Sequence, residues 1–528
     1  MNMRFVLGGS LVVLALLFVA LAGIARMGDR GQYAERLVFY AAAGIQAPVE
    51  AVIADYEEYY QQTHGQPVRI DVQYGGSGTL LSQLQVANEG DLYLAADESY
   101  IDRAREQGTV REAIPLAEMK PVIALASGVE GEINSLDDLL EGDFRIAIGV
   151  PESAAIGRAT KNVFEGMGRW EEFEDKITVT KPTVNDLAND VQIGSVDAAI
   201  VWDIIAQQFG LDYVSDPRLD EETQRVTVGI VASSEQPTAA LHFARFLGAP
   251  DKGLARFEEH HFNVVEGDRW ADTPEVNFFS GGVNRRAMEP ILEAFQDREG
   301  VRVNTVFQGC GALNAQLETI RNQDPDFGFP DGYLLCDVYY LDPVRDWFEE
   351  GSMVSSTPIV IVTAKDNPHD IQSLEDLAKP GVRIVVGHPT HCTIGGLTER
   401  LFKAKGLYED IEPNIVERQP SSGMMVPPVV SGAADASLAY FSDTLPEKDS
   451  LNVIHIDSEY AQAAQPFTVA HTSNHKQLMH RLYDFIGQSE EIYEELGFGW
   501  TMGQSVEDFE VVAPAGARPR QTNGGDSR

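Results

Sequence analysis

Apolar and polar positions alternate along the chain in blocks that read as strand, helix, strand. Arg36–Ala42 predicts a short strand, and Val49–Tyr60 carries the spacing of an amphipathic helix. Val68–Gln73 predicts a second strand, ended by Gly75-Gly76-Ser77-Gly78, after which Thr79–Val86 reads as helix and Asp91–Ala95 as a third strand. This βαβαβ order implies a parallel sheet with helices on both faces. A second set of strands begins with Lys120–Leu125, continues through Phe144–Gly149 and returns with Asp197–Val201. Two small α/β lobes follow, with a ligand cleft at the carboxyl ends of their strands.

The whole pattern then occurs a second time. Ser135-Leu136-Asp137-Asp138-Leu139 recurs 238 positions later as Ser373-Leu374-Glu375-Asp376-Leu377. The same offset carries Arg145-Ile146 to Arg383-Ile384, Gly149 and Pro151 to Gly387 and Pro389, and Ile156-Gly157 to Ile394-Gly395. It also relates Pro182 to Pro420, Gly194 and Asp197 to Gly432 and Asp435, and Gly44 to Gly282. Small length changes in loops shift it to 233 between Ser77 and Cys310 and to 240 between Asp97 and Asp337. The body is therefore expected to be a tandem duplication, residues 36–272 and 275–505, joined near Asp272-Thr273-Pro274. The segment after Gln504 lacks periodicity, and 506–528 is expected to be a disordered tail.

Ahead of the repeats, Phe5 to Ala25 is apolar and uncharged, with Arg4 before it. Roughly 20 such residues suffice to span a bilayer as a helix. Residues 1–30 are expected to act either as a signal peptide, with Ala20-Leu21-Ala22 as a cleavage site, or as an uncleaved membrane anchor. Either way the remainder is exported, to the periplasm or another extracytoplasmic space. Ile24 stands where a bacterial lipoprotein signal would need Cys.

Composition narrows the function classes. With 81 Asp+Glu against 40 Lys+Arg, the formal charge of −41 over 528 residues repels nucleic acid, which is excluded as a partner. The length calls for more than one domain. Three cysteines, Cys310, Cys336 and Cys392, are too few for a disulfide framework.

The loop Tyr74-Gly75-Gly76-Ser77-Gly78-Thr79 holds the clearest chemistry. Glycines let successive N–H groups converge, the next helix adds its positive end, and Ser77 adds a hydroxyl. Such a loop suits a small anion without any basic side chain; the alternative is a plain tight turn. It is not a P-loop, since no Gly-Lys-Ser/Thr follows. A nucleophile elbow would need Gly where Thr79 stands. Ser77 has no evident His and carboxylate partners, so no enzyme activity and no cofactor are expected.

Phe39-Tyr40-Ala41-Ala42-Ala43-Gly44, the Gly-Gly-Ser-Gly-Thr-Leu loop with Gln83, and Asp91-Leu92-Tyr93-Leu94-Ala95-Ala96-Asp97 together resemble the periplasmic molybdate-binding proteins of ABC importers. Gly149-Val150-Pro151-Glu152 and Ala199-Ile200-Val201-Trp202 extend the resemblance in family order, and it covers both repeats. It implies two tandem bilobed modules of the type II periplasmic-binding fold. Each would hold a small oxyanion, molybdate- or tungstate-like, by hydroxyls and backbone N–H groups from lobes that close about a hinge. An ABC-type membrane permease would be the partner. The resemblance places Gly44, Ser77, Ile156, Val184 and Trp202 in the first cleft, and Gly282, Cys310, Ile394, Ser422 and Tyr440 in the second. Gly44 stands where the family has Ser, Trp202 where it has Tyr, and Cys310 replaces the anion-loop Ser.

Read against the first repeat, Cys310 matches Ser77, Cys336 matches Ala96 and Cys392 matches Ala154. Three states are open for them: a Cys310–Cys336 disulfide, inert buried thiols, or a metal site of Cys310, Cys336, Cys392 and His391. The leading functional expectation is a binding protein feeding a transporter. The alternatives are a metal- or thiol-site protein and a membrane-tethered sensor.

Overall fold

A computed structural model describes residues 35–323 and 328–509. The apolar stretch 5–25 and the residues after 509 lie outside that range. Among the described residues no helix is long and apolar enough to cross a membrane. The chain forms two compact units that divide close to Asp272.

In the first unit, β1 (Glu35–Ala42) runs parallel to β2 (Val68–Gly75) and β3 (Leu92–Ala95). Strands β4 (Val110–Met119) and β5 (Pro121–Leu125) follow, broken only at Lys120. Next come β6 (Ile146–Gly149), β7 (Ile177–Lys181), β8 (Ala198–Trp202), β9 (Asp212–Val214), β10 (Gln224–Val231) and β11 (Asn263–Val264). One sheet has the order β11-β4-β10-β3-β1-β2 and the other β7-β6-β8-β5-β9. The chain thus leaves the first lobe at Lys120 and returns after β9. The return strand β10 pairs antiparallel with β3 and β4, and β5 pairs antiparallel with β8. The sheets are therefore mixed, not parallel throughout as the strand–helix alternation predicts. Local pattern marks a strand but not the lobe-to-lobe excursion that reverses it.

Burial explains the strand compositions. Leu37, Phe39, Ala41 and Ala42 of β1 are buried, as are all of Leu92–Ala95, because helices cover both faces of the sheet. The helix Gln46–His64 lays Val49, Val52 and Tyr56 against it at helical spacing.

The second unit repeats the plan with β12 (Glu275–Gly281), β13 (Arg302–Gln308) and β14 (Gly332–Leu334), the first pairing parallel with both others. Then follow β15 (Ser352–Ala364), β16 (Ile384–Gly387), β17 (Ile415–Gln419), β18 (Ala436–Tyr440), β19 (Leu451–His455), β20 (Gln462–Val469) and β21 (Gly499–Trp500). Here one 13-residue strand, β15, replaces the β4–β5 pair. It pairs with β20 through Pro358 and with β18 from Ile359 onward, so both lobes share a single ten-stranded sheet. Val506–Phe509, assigned from sequence to the tail, forms a helical turn with Val506 buried. Apolar packing closes this turn onto the module.

Several repeated residues have a structural role. Arg145 N–H donates to Asp197 Oδ2 at 2.7 Å, and Arg383 N–H donates to Asp435 Oδ2 at 2.8 Å. Each guanidinium also binds the carbonyl of the left-handed Gly194 or Gly432. A Cβ on Gly157 would stand 2.3 Å from the Gly149 oxygen, and one on Gly395 would stand 2.4 Å from the Gly387 oxygen. Only glycine lets the helix start lie on its strand so closely.

Candidate functional site: two clefts

In the first unit the strand ends meet in a small cleft of about 290 Å³, open solvent at its mouth included. Gly44 comes from the end of β1, Ser77 from the end of β2, Ile156 from after β6, Val184 from after β7, and Trp202 from the end of β8. All five residues expected in the first cleft therefore line one cavity. Gly75, Gly76, Ala154 and Thr183 complete much of its wall, and no lining residue is charged.

Three helices start at this cavity: Ser77–Ala87, Ala155–Gly166 and Val184–Gln192. The first two have no side-chain cap and no acidic residue in their first turn. Helix starts carry N–H groups without intrahelical partners and a partial positive charge, so an anion is attracted without any Lys or Arg. Ser77 is buried, and its Oγ accepts the Ala96 N–H at 3.2 Å. With that acceptor role filled, its proton is the group to offer a ligand. Tyr93 fixes the loop by donating to the Ser77 carbonyl at 2.8 Å.

The lobes of this unit are closed on each other. Gly78 N–H donates to the Ser153 carbonyl at 3.0 Å, and Asn185 Nδ2 donates to the Ala43 carbonyl at 3.1 Å. Arg158 forms an ion pair with Asp97 and stacks over the Tyr100 ring at 4.2 Å. Asp97 also caps the helix that follows it by accepting from Ser99. A Cβ on Gly76 would lie 2.8 Å from the carbonyl oxygens of both Ser153 and Pro182. Glycine is what lets this loop approach the opposite lobe. The sequence reading missed Arg158 and Asn185, because nothing local marks a side chain that reaches across a cleft.

In the second unit Cys310 and Cys336 form a disulfide, with Cα atoms 6.1 Å apart. Thr393, at the place of Ala155, accepts the Cys310 N–H at 2.9 Å and donates to Cys336 Sγ at 3.1 Å. Gly282 is exposed where Gly44 is buried, and Ile394 is buried. Ser422 opens a single turn, Ser422–Met424, where Val184 opens a helix. Tyr440 is 1% exposed, and its hydroxyl is buried without a hydrogen-bond partner.

Beside it Asp443 stands where the first unit has Ile205. Burial pushes its carboxyl up to about 6, against the opposing pull of a Ser422 hydrogen bond and of Arg286. One oxygen, Oδ2, is sealed without a partner. Aligning the repeats at 238 would have exposed both the Ala155/Thr393 and the Ile205/Asp443 exchanges.

The four residues considered for a metal site, Cys310, Cys336, Cys392 and His391, are not brought together as one set of ligands. Two of the sulfurs are spent in the disulfide. Burial pushes the Cys392 thiol up to about 11, so it stays protonated. His391 is exposed, with its ring stacked on His388 at 4.2 Å.

Both modules thus present paired α/β lobes around a cleft at the carboxyl ends of their strands, the architecture of a protein that holds a small solute. The chain belongs to the bacterial extracellular solute-binding proteins, whose family model matches residues 37–263 and again 276–499. Over 231 residues it is 31% identical to a Haemophilus influenzae protein named "Putative binding protein", covering 43% of this chain and 90% of that one. It is 30% identical over 175 residues to the molybdate-binding protein ModA of Mycobacterium tuberculosis, covering 32% of this chain and 61% of the relative. Among solved structures, the Azotobacter vinelandii periplasmic molybdate-binding protein matches 43% of this chain and 98% of its own, at 21% identity and a TM-score of 0.36.

Proposed function

We propose that the chain is an exported tandem solute-binding protein that captures a small tetrahedral oxyanion in its first cleft and delivers it to an ABC-type membrane permease. The observation that carries this reading is the wall of the first cleft, where three helix starts and the Ser77 hydroxyl converge without one charged side chain. An oxyanion there is neutralised by fixed dipoles in a closed cavity. Preset dipoles of this kind need little reorganisation on binding. Molybdate, the ligand in the name of the Mycobacterium tuberculosis relative, is the first candidate, with tungstate and sulfate of the same shape beside it.

The apolar stretch 5–25 supports export, as a signal peptide or as an anchor that keeps the chain at the membrane. No nucleophile–base pair meets in the first cleft, which favours binding over catalysis. Gly44, Ser77, Ile156, Val184 and Trp202 are the proposed ligand shell.

Calorimetry of the full chain with molybdate, tungstate and sulfate tests the reading. A saturable site of one oxyanion per chain, lost when Gly76 is changed, supports it. No oxyanion bound by the folded chain, or binding unaffected by changes at Gly76 and Ser77, would overturn it.

A further inference from the structure

Away from the cleft lining, the first unit brings together three side chains that neither the repeat nor the solute site employs. His64 ends the helix Gln46–His64, His242 lies in the helix Pro237–Leu247, and Asp272 ends the unit's main segment. We propose that these three residues bind one divalent transition-metal ion of the zinc class.

Both imidazoles turn Nε2 toward the same carboxylate oxygen: His64 Nε2 lies 3.0 Å and His242 Nε2 lies 3.2 Å from Asp272 Oδ1. The three donor atoms all fall within 4.8 Å of one another. Ligand atoms about 2.0–2.1 Å from a tetrahedral zinc ion are separated by about 3.3 Å, so the trio needs little movement to enclose one. Two His and one carboxylate form a donor set such an ion favours.

The surroundings hold the donors as outer partners in metal sites do. Tyr56 Oη is 2.8 Å from His242 Nδ1, which fixes the ring with Nε2 toward Asp272. Tyr59 donates to Asp272 Oδ1 at 3.1 Å. The Tyr60 ring packs on His64 at 4.4 Å, and Trp270 meets His242 edge-on at 5.2 Å. His64 and Asp272 keep about a third of their side-chain surface open, at 34% and 37%. That opening gives an ion its way in and a water the fourth position. A bound ion ties the end of the unit to its first helix across nearly the whole repeat.

The test uses the full chain without a polyhistidine tag, titrated with Co²⁺ and Zn²⁺. We expect one high-affinity ion per chain, a visible Co²⁺ absorption of tetrahedral type, and a rise in melting temperature with Zn²⁺. His64→Ala, at an exposed helix end, should weaken binding by roughly 100-fold, since losing even an outer-shell partner costs roughly 10–100-fold. His242→Gln should do the same. His391→Ala, which alters the stacked His388–His391 pair, should leave binding unchanged. If His242→Gln does not fold, His64→Ala carries the test alone. No saturable binding, a His64→Ala variant that binds like the parent, or loss of binding in His391→Ala would overturn the site and leave a hydrogen-bonded trio.

Discussion

In the first module Ala155 stands beside the Ser77 loop and offers the Ser77 N–H no side-chain acceptor. In the second, Thr393 occupies that place and its hydroxyl takes the Cys310 N–H. The same scaffold thus differs at one donor: the N–H at the head of the loop helix meets a side-chain hydroxyl in the second module and none in the first. The exchange of Ile205 for Asp443 acts in the same direction, since a carboxyl beside the cleft repels an oxyanion whenever it ionises. Duplication kept the frame, through Arg145–Asp197 and Arg383–Asp435, and released the wall to change. A shared fold therefore does not imply a shared ligand.

The sharpest way to break this comparison is steric. Gly76→Val places side-chain atoms against the carbonyls of Ser153 and Pro182, so the first cleft cannot close. We expect oxyanion binding by the full chain to fall below detection. Gly309→Val, whose Cβ meets the His391 carbonyl in the second cleft, should leave the bound oxyanion unchanged. Calorimetry of both variants decides the matter, and equal losses would mean that the clefts act alike.

Covalent difference comes next. Reduction of Cys310–Cys336, which spans 26 residues, should destabilise the second module by about 3 kcal/mol and leave the first unaffected. Chemical unfolding with and without reductant should then show only one of two transitions moving. Thiol counting of the denatured, unreduced chain should find one free group, Cys392.

Ser77→Ala tests the hydroxyl that the second module lacks, and should weaken oxyanion binding by about 2 kcal/mol. An unchanged affinity would assign the work to backbone donors alone.

The smallest effect expected is that of Asp443. Burial raises its pKa above that of the unfolded chain, so ionisation opposes folding. The contribution of Asp443 should be fullest below the ordinary carboxyl range, with about 1–2 kcal/mol lost as pH climbs through about 6; its partial exposure keeps the figure below the full shift. Asp443→Asn should flatten that slope, read from unfolding midpoints across pH 4 to about 8.

Much of this was legible in the chain before any coordinates. Ser135-Leu136-Asp137-Asp138-Leu139 and its echo betray a duplication because helix starts and buried leucines tolerate few substitutes: Leu136, Leu139 and Leu377 are fully buried. The five residues expected in the first cleft meet there because each follows a strand end, and strand ends are marked locally. The antiparallel return of β10 and the choice among three cysteine states were not legible. Both depend on which distant segments come to lie together, and only the folded chain supplies that. Arg158 escaped notice for the same reason, and so did His64, His242 and Asp272.

Lys120 interrupts the first module's strand where the second runs unbroken from Ser352 to Ala364. A strand that stays extended through the crossing resists twisting between its halves, even though its partner changes from β20 to β18 at Pro358; a break concentrates rotation at one residue. The two modules should thus differ in stiffness as well as in chemistry. The first is expected to open about a joint at Lys120, and the second to bend along the length of β15. Amide exchange should accordingly be faster at Met119 and Lys120 than at Thr357 and Ile359.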